Sequence, residues 1–167
     1  MDRKVMSELK KAIDDLLSKN RIDDAVPMMK QAANWGDLES QRQLMDIYLH
    51  EKYGYVYDPK LGYAYARLCA MNEDPEGMYE LAKLNRDGLG CTKNEEQAFY
   101  FMKKASLCEY AFAYDELEMM LFSGKGTEKN LEQAQYWNLK ALEQLGKTPT
   151  IEKHKRMIEM ALEKAKK

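Results

Sequence analysis

Two histidines, His50 and His154, and three cysteines, Cys69, Cys91 and Cys108, are the whole complement of histidine and cysteine in this sequence of 167 residues. No Cys-x-x-Cys, His-x-x-x-His, nucleophile elbow or Ser-His-Asp signature is present. The linear pattern therefore supports no zinc site, no thiol nucleophile and no hydrolase triad. Three cysteines cannot all pair within one chain, and they read as small buried hydrophobes in a reducing compartment. No apolar run approaches the roughly 18 residues that a spanning helix needs. The opening residues turn charged within a few positions and lack an apolar h-region, so no secretory signal is expected and a cytoplasmic location is. Charge of one sign is also missing: 26 basic against 28 acidic side chains leave a net charge of −2 and no global pull toward nucleic acid. With 45% apolar and 32% charged residues, neither disorder nor a membrane protein is indicated.

What the sequence does have is self-similarity. The twelve residues from Asp87 to Ala98 match those from Ser123 to Ala134 at seven positions without a gap, including Gly88/Gly124, Gly90/Gly126, Asn94/Asn130 and Ala98/Ala134. The offset is 36, the separation of Gly88 from Gly124, and one more step back from Asn94 reaches Asp58. Following these anchors, Gly62, Ala98 and Ala134 share one slot, Tyr65, Phe101 and Trp137 the next, and Cys69, Ala105 and Ala141 a third. Small, aromatic and small at i, i+3 and i+7 mark one face of a helix on which a neighbour approaches closely beside a space-filling ring. Ala25, Met28 and Ala32 repeat the spacing without the aromatic, as a degraded first copy. Earlier helices in each unit are expected near 37–50, from Pro75, and from about 109 to 122. Glycine loops separate the two helices of a pair. A Gly-x-Gly loop also suits phosphate binding, but no strand pattern precedes it and no Gly-Lys-Ser/Thr follows. Thr148 and Pro149 open a last amphipathic helix carrying Ile151, Ile158, Ala161, Leu162 and Ala165.

These residues resemble Sel-one-like repeats, a branch of the tetratricopeptide-repeat superfamily. The resemblance rests on the junction Ala32-Ala33-Asn34-Trp35-Gly36-Asp37, on Pro75 to Ala82, and on the Gly-x-Gly loops followed by Asn94 or Asn130. It covers roughly residues 21–146. The implied fold is all-α: a short right-handed α-solenoid of about three helix-pair repeats with capping helices at both ends. The expected division is a helix pair over 1–36, repeats over 37–72, 75–108 and 109–146, and a capping helix over 148–167, all one domain. Departures are Asn85 and Leu121 where the family has the tyrosine kept as Tyr48, Met45 and Glu118 where a small residue is usual, and Pro27 inside a helix.

The resemblance implies a protein–protein interaction scaffold or adaptor, not an enzyme, that binds an unidentified protein or peptide on a concave face lined by first helices. Carried over residue by residue, the partner-binding positions are Glu39, Arg42, Asp46 and Leu49, then Glu76, Tyr79, Lys83 and Arg86, then Phe112, Asp115, Met119 and Phe122. Phe112, Met119 and Phe122 read equally as an apolar anchor or as core under the C-terminal helix. Tyr53, Tyr55 and Tyr57 fall in a loop that either meets a partner or folds onto its own unit. No catalytic, cofactor-binding or metal-ligating residue, no nucleic acid and no membrane is expected. Lys153-His154-Lys155-Arg156, flanked by Glu152 and Glu159, reads as a solvated helix face. Self-association through the helical ends or the apolar patch is the second reading, and an unrecognised enzyme the third.

Overall fold

Nearly every helix starts where the sequence supplies a side-chain acceptor. The computed structural model describes residues 2–166, and among these the secondary structure is helical, with no strand. The first pair is α1 (Arg3–Ser18) and α2 (Ile22–Asn34). Then follow α3 (Leu38–Leu49) with α4 (Pro59–Met71), α5 (Pro75–Asp87) with α6 (Glu95–Leu107), and α7 (Phe112–Ser123) with α8 (Leu131–Leu145). The last helix is α9 (Pro149–Ala165). Each helix packs on its sequence neighbours, and α9 also touches α7. Asp37, Asp74, Asn94 and Asn130 accept the backbone N–H three residues on at 2.8–2.9 Å, Asp58 those of Lys60 and Leu61, and Thr148 that of Ile151 at 3.2 Å. Such caps satisfy donors the helix cannot reach itself.

The joints between helices recur as closely as the residues do. Between units, the amides of Asp37, Asp74 and Tyr110 donate to the carbonyls of Ala32, Cys69 and Ala105 at 3.0, 3.1 and 3.1 Å. Just before each of these amides the chain turns left-handed, at Gly36 (φ 91°), Glu73 (φ 57°) and Glu109 (φ 60°). Within units, the amides of Asp58, Asn94 and Asn130 donate to the carbonyls of Tyr48, Asn85 and Leu121 at 3.0, 2.8 and 2.9 Å. The three residues in the family's tyrosine slot are thus all buried and use the same backbone group, which makes the side chain there exchangeable. The helix expected from about 109 starts instead at Phe112, because the left-handed turn at Glu109 intervenes.

The Gly-x-Gly loops have a packing explanation. Gly88 and Gly124 end α5 and α7 in the left-handed conformation. Gly90 and Gly126 lie against the preceding unit: an added Cβ would sit 2.0 Å from the carbonyl oxygen of Pro59 and 1.9 Å from that of Glu95. Those two contacts are again 36 residues apart, so the loop glycines set the spacing between units.

The small–aromatic–small slots fill the core as the periodicity requires. Ala98, Ala134, Cys69, Ala105 and Ala141 are at most 1% exposed, and Phe101 and Trp137 lie beside them. Around them the core runs in three sectors: Ile13 to Tyr48 under α1–α3, Met45 with Ala66, Cys69, Leu81 and Leu84 in the middle, and Met78 to Ile158 under α5–α9. Pro27 sits on the exposed side of α2, which runs on past it with one intrahelical hydrogen bond fewer. No described helix is long and apolar enough to cross a membrane.

Candidate functional site

The twelve positions carried over from the superfamily fall at matching places on α3, α5 and α7, spaced three, four and three residues apart in each. The intervening residues, such as Leu44, Met45, Leu81, Ala82, Leu117 and Glu118, are the buried ones, and none of the twelve is buried. Helical geometry therefore gives the three first helices one shared accessible side.

Most cations on that side are already engaged. Arg42 donates to Asp74 through Nε at 2.8 Å and also through Nη2, while the 1%-exposed Asp74 carboxylate caps α5. Arg42 therefore fastens α3 to α5. Asp46 pairs with His50 at 3.2 Å and with Lys52. Lys83 binds Glu80 at 2.9 Å and lies 4.9 Å above the Tyr79 ring. Arg86 spans units, bonding Asp87 at 2.8 Å and Glu116 at 2.6 Å. Glu39 and Glu76 have no ion-pair partner among the described residues. Burial first, then the nearby Asp46 and Asp74, push the Glu76 carboxyl above its ordinary pKa.

Two clefts cross between units. Leu49 and Lys83 border one of about 220 Å³ with Tyr57, Leu84 and Leu89, and Arg86 and Met119 border one of about 380 Å³ with Glu116 and Lys125. The three apolar residues of α7 occupy different surroundings. Phe112 is 61% exposed, Met119 lines the second cleft, and Phe122 is half-buried against the C-terminal core with Lys129 5.3 Å above its ring. Phe112 is thus not covered by α9. Tyr110, which the sequence reading passed over, joins Tyr79 (ring centroids 5.3 Å apart) to Phe112 (5.6 Å). It stands in the slot that Asp37 and Asp74 use as caps, and α7 has no side-chain cap. A cap exchanged for an aromatic was the available signal.

In the tyrosine-rich loop, Tyr55 meets Tyr48 of its own unit edge-on at 6.2 Å and donates to Asp23 of the preceding helix pair at 3.0 Å, while Tyr53 and Tyr57 stay exposed. Outside the first helices, Tyr100 and Tyr136, 36 residues apart on α6 and α8, are 49% and 54% exposed.

Asp115, half-buried, also has partners within the fold. Its Oδ1 lies 2.9 Å from Nδ1 of His154 on α9, and the same nitrogen is 3.2 Å from Oε1 of Glu118. Glu118 is fully buried, and burial, countered by the Asn138 hydrogen bond and reinforced by Asp115, raises its pKa to about 7. Asn138 donates to Glu118 Oε2 at 2.5 Å and to the Ile151 carbonyl at 3.1 Å. In the previous unit Ala82 and Met102 hold the corresponding places, both apolar and buried. His154 accordingly leaves the solvated stripe of Lys153 and Arg156 and points inward. The linear pattern hid this group because its members come from three helices.

The Sel1 repeat family model matches residues 75–110 and 106–144. Over 95 residues, 57% of this chain, the sequence is 33% identical to an uncharacterized protein of Neisseria meningitidis serogroup B, of which that stretch spans 20%. The crystal structure of a Sel1 repeat protein from Oxalobacter formigenes superposes with a TM-score of 0.69 at 19% identity, covering 79% of this chain and 54% of the other. A protective antigen of uropathogenic Escherichia coli with the same repeat fold gives 0.71 at 22% identity over 83% of this chain and 29% of that one. Cysteine rich protein B of Helicobacter pylori gives 0.55 at 20% identity, covering 87% and 94%. This chain spans about a fifth of the Neisseria relative and about half of the Oxalobacter one. At these identities the structural likeness concerns the fold.

Proposed function

This chain is a Sel1-repeat protein, and we propose that it is an adaptor whose first-helix side binds a protein segment presenting an apolar side chain close to a basic one. Repeats of this kind typically mediate protein interactions. The observation that carries the reading is the Tyr79–Tyr110–Phe112 series, which ends on an aromatic 61% exposed. An uncapped helix start costs about 1 kcal/mol, and α7 carries that loss: Ala111 is its N-cap, and Tyr110 stands at the joint position of Asp37 and Asp74. Aromatics anchored in partly buried settings are what interface hot spots are made of. Glu76 supplies the charge: its carboxylate, set among Asp46 and Asp74, gains from any incoming cation. Residues 37–72 serve in this reading as a third, more divergent copy, extending the surface toward Glu39 and Leu49.

The test is affinity capture from native lysate with the full chain as bait, read by mass spectrometry. Phe112→Ser and Glu76→Gln are the informative variants, because Phe112 is exposed and Glu76 has no ion-pair partner among the described residues. Arg42 and Lys83 are unsuitable for charge reversal, since each neutralises a buried acid, Asp74 or Glu80. Loss of the same partner in both variants, with unchanged circular dichroism, supports the adaptor. A chain that captures only itself, and forms concentration-dependent oligomers that Phe112→Ser abolishes, establishes the self-association reading instead.

A further inference from the structure

We propose that Asp115, Glu118 and His154 form a binding site for one divalent transition-metal ion of the zinc class, clasping α9 to α7. The site is independent of the adaptor reading.

One ligand atom from each residue lies within 4.8 Å of the other two. The separations from His154 Nδ1, 2.9 Å to Asp115 and 3.2 Å to Glu118, approach the edge of a tetrahedron of zinc ligands, about 3.3 Å for bonds near 2.0 Å. The hydrogen bonds in place leave one atom of the group over. Nδ1 carries at most one proton, and with that proton directed to Asp115 the Glu118 Oε1 atom has no hydrogen-bond partner although Glu118 is fully buried. An unsatisfied buried carboxylate oxygen is costly. A cation between the three atoms contacts all of them at once, and with neutral imidazole its two charges cancel those of the two carboxylates.

The surroundings fit the same role. Asn138 holds Glu118 by Oε2 alone, leaving Oε1 directed at His154. That orientation of a ligand by a hydrogen bond from behind is usual around metals. Glu118 and Asn138 replace Ala82 and Met102 of the preceding unit together, so the polar pair is confined to the place where α9 supplies a histidine. Asp115, on the more accessible edge, leaves a fourth position to water.

The experiment titrates chelator-treated full-length protein with Zn²⁺ by calorimetry and with Co²⁺ by visible absorption, and measures the melting temperature with and without Zn²⁺. One equivalent bound, tetrahedral Co²⁺ bands and a raised melting temperature are expected. Asp115→Asn, at a partly exposed position compatible with folding, and His154→Gln are each expected to weaken binding at least about tenfold. His50→Gln, which removes the Asp46–His50 pair, is expected to leave it unchanged. Absence of binding at micromolar metal overturns the proposal and leaves a hydrogen-bonded cluster. Binding that survives both Asp115→Asn and His154→Gln, or that disappears with His50→Gln, overturns it equally.

Discussion

Glu73 and Glu109 occupy a backbone conformation that their homologous position satisfies once with glycine, Gly36. A side chain in the left-handed region costs about 1–2 kcal/mol, and glycine returns part of that gain as unfolded-state entropy. Glu109→Gly is therefore expected to stabilise the protein by about 0.5–1 kcal/mol, read as a higher urea midpoint at unchanged m-value. Residue-level reading of the sequence worked best where a slot is defined by size. Ala98, Ala105, Ala134 and Ala141 recur at helical spacing and are buried as that spacing demands. It failed for Glu118, visible as a departure from a small-residue slot but silent about its neighbours. Asn138 and His154 reach it from 20 and 36 residues away, through a turn of chain that periodicity does not describe. Tyr110 escaped for a different reason, since an aromatic beside a helix start resembles ordinary packing until its ring partners are known.

At the scale of the element, the start of α9 was legible at Thr148 because caps are local chemistry. Asp58, Asn94, Asn130 and Thr148 bond amides two or three residues ahead. The start of α7 was less so, because Ala111 precedes it and no side-chain cap marks it. Asp37 shows one cap serving two elements: it starts α3 through Ser40 and accepts from Lys10 of α1 at 2.7 Å. Burial acts upward on its carboxyl, but the bonds from Lys10 and Ser40 together hold the pKa below the ordinary value. A depressed folded pKa contributes stability above the unfolded value, near 3.8, that is lost as pH falls below it toward the folded one. Asp37→Asn is accordingly expected to flatten the stability profile between about pH 5 and pH 3, with α1 the first helix to lose amide protection in the wild type.

For the whole molecule, three core sectors in line replace one central core, and stability is then a sum of units and interfaces. Met29, 1% exposed under α1–α3, has no contact with the sector beneath α7–α9. Met29→Ala is expected to cost about 2–5 kcal/mol locally. Hydrogen exchange should quicken in α1–α3 while α7–α9 keep their protection, and uniform acceleration would show instead a single cooperative block. The repeat and its all-helical character were legible at this scale because the period is written twice over. The joining amides at Asp37, Asp74 and Tyr110, each meeting a carbonyl five residues back, carry a further meaning. A segment of 36 or 37 residues cut at two neighbouring joints has matching ends. Duplicating or deleting one such segment in a gene leaves every surviving joint with its proper acceptor. The length of this protein is therefore a quantity that recombination can edit in whole steps, altering reach while leaving the grammar of the joint intact.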